Sequence, residues 1–225
     1  MKIFNDNQCN KYFQCKTRVD YYILQKKNNY KSTIIHDENN VIYNININNN
    51  TKYISNYGIS IHEKLQNYKS NKIKCINSTR NYVQKKKDKE HIYKLFNTSN
   101  SSSITYYYST KKHPYQNNKK VIFSNGRYIY PIYDNGNLGG TQSSLIILVD
   151  NKNDGMKMIK YINSKFFKFI IKSTKFSNFG ISHELISTIP NIIDKYENEK
   201  DITDEDIYKL FKLTKNEIEI INNNS

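Results

Sequence analysis

Among the side chains that could do chemistry, two carboxylates and a lysine stand out. Asp134, in Pro131-Ile132-Tyr133-Asp134, is followed by Asp150-Asn151-Lys152, an order that imitates the nuclease pattern of an Asp and then an acid-x-Lys triplet. Carboxylates at the ends of adjacent strands could hold a divalent ion that polarises a phosphate, and Lys152 would support the attacking water. Both aspartates also suit the plainer role of ending strands, because the chain is rich in Asp-Asn and Lys turns. Magnesium-dependent cleavage by Asp134, Asp150 and Lys152 is one reading to carry forward.

Other chemistries lack their residues. A P-loop needs GxxxxGK and then Ser or Thr, and the seven glycines never fall at that spacing. A cofactor-binding turn needs glycines between a first strand and a helix, whereas the paired Gly139-Gly140 stands between strand candidates. Gly58-Ile59-Ser60-Ile61 lacks the second glycine of a nucleophile elbow. His36, His62, His91, His113 and His183 form no HxxxH pair. Cys9, Cys15 and Cys75 match neither a disulfide framework nor a CxxC knuckle and read as free thiols.

Charge is more informative. The net charge is +15, and its distribution is uneven. Residues 64–127 hold fifteen basic side chains and two acids, Asp88 and Glu90, whereas Asp194 to Glu219 holds nine acids and five lysines. AT-rich coding would inflate lysine evenly; it would not clear acids from one window and gather them in another. The basic window therefore predicts a polyanionic partner. Its interleaved tyrosines (68, 82, 93, 106, 107, 108, 115) favour nucleic acid over a membrane surface.

These residues must be positioned by regular elements. Val19 to Gln25 reads as a strand, and Thr33 to His36 with Val41 to Ile47 as a hairpin around Asp37-Glu38-Asn39-Asn40. Ile59 to Tyr68 has the spacing of a short amphipathic helix, and Asn97 to Ser103 reads as a polar loop. Strand candidates Ile104 to Tyr108, Lys120 to Ser124, Arg127 to Tyr133 and Thr141 to Asp150 alternate with Asn-Gly turns at 125–126 and 135–136, the pattern of an antiparallel meander. Asp154 to Thr174 predicts one long helix covering a face of that sheet. Thr203 with the acids behind it, and the Thr214/Glu217 capping box, predict two small C-terminal helices acting as a lid. The fold class expected is α+β. No apolar run is long enough to span a bilayer and Met1 to Asn10 is polar, so the expected location is intracellular, in the cytoplasm.

The second half resembles the C-terminal, TaqI-like target-recognition region of type II adenine-specific DNA methyltransferases and fused restriction-modification enzymes, including copies in large DNA viruses. The residues that carry the likeness are Lys120 to Gly126 with Tyr128 to Pro131, Gly140-Thr141-Gln142-Ser143 into Leu145 to Val149, and Asn163-Ser164-Lys165 to Thr174. Lys175 to Asn178, Ile189-Pro190, Thr203 to Tyr208 and Leu213 to Ile218 complete it. More loosely, Arg18 to Leu24 is similar to the last strand of the family's catalytic domain.

The resemblance implies a division into 1–58, a hairpin segment like the end of a catalytic domain; 59–193, a basic DNA-recognition domain; and 194–225, an acidic helical tail. Members methylate adenine N6 through an (Asn/Asp)-Pro-Pro-(Tyr/Phe) motif that holds a flipped base. Here Pro114, Pro131 and Pro190 are the three prolines and none adjoins another. The implied role is thus a recognition half, with S-adenosylmethionine expected only on a separate catalytic subunit and double-stranded DNA as the partner. Base readout is expected from Arg80, Asn125, Arg127 and Gln142, and phosphate contacts from Lys85, Lys86, Lys87, Lys111, Lys112, Lys119, Lys120 and Lys175, with Ser177-Asn178 as a further contact. Besides the nuclease, the rival reading is a non-catalytic viral structural or interaction protein.

Overall fold

A computed structural model describes residues 1–14, 19–23, 32–47, 51–77, 83–126, 129–174 and 180–224. The chain is α+β, and the described residues form three four-stranded sheets.

The first sheet is N-terminal. β1 (Lys2–Ile3) lies between β2 (Asp20–Tyr21) and β3 (Thr33–His36), and β4 (Ile42–Ile45) closes the order β2-β1-β3-β4. The predicted hairpin is β3–β4: Asp37 accepts from the Asn39 and Val41 amides and so forces the turn. Ile3, Ile35, Ile45 and Ile59 form its small core. Helix α1 (Asp6–Phe13), unforeseen from sequence, starts at a reciprocal Asn5/Gln8 capping box.

The central sheet, β10-β9-β12-β5, consists of β10 (Ile132–Asn135), β9 (Lys119–Ser124), β12 (Ser144–Leu148) and β5 (Cys75–Asn77), all antiparallel. The outer sheet, β11-β7-β8-β6, consists of β11 (Gly139–Gly140), β7 (Tyr93–Ser99), β8 (Ile104–Ser109) and β6 (Val83–Gln84). The expected single meander is therefore corrected. The candidate strand at 104–108 belongs to a different sheet from β9, β10 and β12; among the described residues the strand expected at 127–133 is replaced by β10 at 132–135, and the strand expected at 141–150 is shorter.

Alternation along the central strands explains this layering. Ile122 and Ile146 point one way and meet Phe96 and Tyr106 of the outer sheet, with Leu138 just before β11. Val121, Phe123, Leu145 and Ile147 point the other way, into the main core with the helices. Both faces are buried, and each aromatic or branched side chain so removed from water contributes roughly 1.5–3 kcal/mol.

The helical layer is formed by α3 (Lys152–Asn163) and α4 (Lys165–Thr174). The single long helix expected at 154–174 is broken at Ser164, whose hydroxyl donates to the Tyr161 carbonyl and accepts from the Phe167 amide. One side chain thus ends α3 and caps α4. The two C-terminal helices are α6 (Asp204–Leu210) and α7 (Lys215–Asn224), begun by Thr203 and by the Thr214/Glu217 box as predicted. They are more than a lid: Ile207, Tyr208, Phe211 and Ile221 sit in the main core, with Phe166 and Phe211 stacked at 4.6 Å. α2 (Ile59–Asn67) joins them through Lys64, which bonds Glu217 at 2.5 Å and the Lys212 carbonyl at 2.8 Å. A short α5 (His183–Ile186) lies beside β5.

Candidate nucleic-acid interface

The outer sheet positions most of the predicted phosphate contacts. Val83, Ser109 and Tyr93 lie level across β6, β8 and β7, and two loops border that end of the sheet. The loop between β6 and β7 carries Lys85, Lys86 and Lys87; the loop from β8 to β9 carries Lys111 and Lys112 and ends at Lys119. All six are exposed. Between 83 and 119 there are eight lysines and two acids. Asp88, one of the two, is exposed but engaged by its own loop, bonding Gln84, the Glu90 and His91 amides and the His91 ring. The His91 amide and ring, then Gln84 and the Glu90 amide, hold its carboxyl well below the usual carboxylate range.

Lys120 is a correction. Its side chain is 0% exposed and pairs with Asp134 at 2.6 Å, directly opposite on β10. It also donates to the carbonyls of Asn118 (2.8 Å), Tyr115 (3.0 Å) and Gln116 (3.3 Å). Burial lowers its pKa, and Asp134 counteracts that shift. Lys120 holds the loop before β9 in place and contacts no phosphate. Strand parity was the signal: 120 shares the inter-sheet side of 122.

The same pair removes the footing of the nuclease reading. The Asp134 carboxylate accepts from Lys120 and from the amides of Gly136, Asn137 and Leu138. It is the anchor of the 135–138 turn, as a strand-ending aspartate should be. Asp150 lies beyond β12, where its carbonyl accepts from Lys119, and Lys152 is in the first turn of α3. Among the described residues no group of three or more His, Cys, Asp or Glu side chains is placed to hold a metal ion.

Two of the predicted base-reading residues are brought together. Asn125 follows β9 and Gln142 precedes β12; the Asn125 amide nitrogen donates to the Gln142 carbonyl at 3.1 Å, and its backbone NH bonds Ser143. Gln142 is exposed, whereas Asn125 is half-buried with one donor occupied. Close approach requires glycine opposite them, since a Cβ at Gly180 would stand 2.8 Å from the Asn125 carbonyl. This pair lies at the other end of β9 from Lys119, six residues or about 20 Å away at ~3.3 Å each. Ser124 bonds the Ser99 carbonyl at the far end of β7, so the lysine loops and the Asn125–Gln142 corner occupy opposite ends of the two-sheet layer. Arg80, Arg127, Lys175, Ser177 and Asn178 lie outside the described residues.

One constellation was missed in sequence. His62 accepts or donates on both ring nitrogens, to Ser173 at 2.7 Å and to Tyr53 at 3.2 Å. The Ser173 hydroxyl donates to the Phe169 carbonyl at 2.8 Å, so His62 Nε2 is the donor to Ser173 and Nδ1 accepts from Tyr53. Burial drives the His62 pKa down to about 3 and the Tyr53 pKa up to about 12. A histidine this reluctant to take a proton does not activate a nucleophile, and Ser173 is fully buried. The network satisfies core polar groups and ties α2 to α4. The Cys75 thiol, pushed up to about 12 by burial, is equally unreactive.

Comparison with protein-family models, with curated proteins and with solved structures gave no match. Among the described residues no helix is long and apolar enough to cross a membrane.

Proposed function

We propose that this chain recognises DNA, as the specificity part of an adenine-methylating or restriction-modification system whose catalytic half is a different polypeptide. One observation carries the reading: six exposed lysines, 85, 86, 87, 111, 112 and 119, are drawn from two separate loops to one end of the outer and central sheets. The helical layer on the far side of the central sheet does not share this excess. Residues 151–174 and 194–219 together hold eleven lysines and ten acids. A one-sided excess of positive charge suits a phosphate backbone.

Phosphates would sit on the lysine loops, and Gln142 with Asn125 would face base edges about 20 Å further along, roughly six base pairs at ~3.4 Å per step. The resemblance of 104–221 to target-recognition regions supports this division, and the lack of adjacent prolines supports a chain that does not itself transfer the methyl group.

Anisotropy titration of a labelled duplex over a salt series tests it. Affinity should fall steeply with salt. Lys86→Ala should weaken all duplexes alike and flatten the salt slope by about one unit, whereas Gln142→Ala should chiefly relax sequence preference. Salt-independent binding, or none, would remove the reading and favour a structural or interaction protein.

A further inference from the structure

The register of the outer sheet fixes which side chains share a face. Leu95 pairs with Tyr107, and Ser109 pairs with both Tyr93 and Val83, so these five lie on one side. The other side carries Phe96 and Tyr106 into the core shared with the central sheet. Tyr93 and Tyr107 therefore point away from that core, diagonal neighbours about 7–8 Å apart on adjacent strands. Both are partly exposed, and beyond the backbone ladder neither side chain has a hydrogen bond or a ring contact among the described residues. The buried Tyr161, by contrast, packs edge-on against Phe167.

The same face is bordered by charge. A Cβ at Gly139 would meet both Leu95 and His113, which places His113 on the Leu95 side. The loop after β8 therefore folds back over this face and carries Lys111 and Lys112 to its edge.

We propose that this face binds an unpaired stretch of nucleic acid, with bases stacked on Tyr93 and Tyr107 and phosphates held by Lys111 and Lys112. An aromatic ring needs the flat face of a base, which a duplex hides within its own stack and a single strand exposes. Charge complementarity selects the occupant. The inference rests on the nucleic-acid reading of the lysine end and adds the kind of strand bound.

The test compares a short labelled oligodeoxythymidylate with a blunt duplex of equal length. Tyr107→Ala and Tyr93→Ala should each weaken single-strand binding by roughly five- to a hundredfold while leaving duplex affinity unchanged, and Tyr107→Phe should bind as the parent does. Ultraviolet crosslinking of the parent chain to a bromodeoxyuridine oligonucleotide should place adducts on Tyr93 or Tyr107, a readout that needs no folded variant. Single-strand affinity that survives Tyr107→Ala, or adducts elsewhere, would overturn the proposal. Salt-sensitive duplex binding with no single-strand binding would overturn this inference alone; no binding of either would overturn the DNA reading with it.

Discussion

Lys120 and Asp134 face each other across β9 and β10 and close at 2.6 Å, both almost wholly withdrawn from water. A buried ion pair of this kind contributes little net stability over an apolar pair, but breaking it strands a charge. Here the partners are unequal. Asp134 also receives three amides of the following turn, whereas Lys120 is backed by three carbonyls.

Lys120→Met should therefore cost about 3–5 kcal/mol, and Asp134→Ala more, because it leaves the ammonium and three amides without their acceptor. Denaturant unfolding of both variants and of the double variant gives the coupling. Single variants within about 1 kcal/mol of the parent would show that the pair is not buried in solution.

His62 makes stability depend on pH. Its folded pKa, about 3, lies below its ordinary 6.5, so the unfolded chain binds more protons between these values. The contribution is complete above pH 6.5 and is lost as pH falls towards 3, by up to ~1.4 kcal/mol per pH unit. Urea midpoints from pH 7 down to 4 should fall more steeply in the parent than in His62→Gln. Parallel curves would mean that His62 is accessible to protons.

Gly155 offers a test in which two rules disagree. Replacing glycine by alanine inside a helix ordinarily stabilises by about 1 kcal/mol. A Cβ at 155 would stand 2.4 Å from Tyr133 Cδ2, where α3 crosses β10. Gly155→Ala should thus destabilise by about 1–3 kcal/mol, and the same change in a Tyr133→Ser background should stabilise. Thermal unfolding of the four proteins decides it.

Much of this architecture was legible in local chemistry. Asp37 between two alternating runs announced the first hairpin, and Thr203 and the Thr214/Glu217 pair announced the last two helices, because each rests on a side chain meeting a nearby amide. Allocation of strands to sheets was not legible: alternation at 120–124 and 144–148 shows two buried faces without saying which neighbour covers each. β7 escaped because Leu95 and Phe96 are adjacent and face opposite layers, which masks its period in a lysine-rich window. The break at Ser164 had a signal in its cap residue, outweighed by apolar spacing that runs through it. For the candidate site, the exposed lysines followed from their loop runs, while Lys120 and Asp134 needed the pairing register to be read as one structural unit.

The clasp between Lys64 and Glu217, together with Ile221 deep among residues from α2 onwards, makes the last helix a structural part of the body and not an appendage. Removing α7 would take away Ile221 and the carboxylate that Lys64 grips, and so uncover the side of the main core where α2 and α4 meet it.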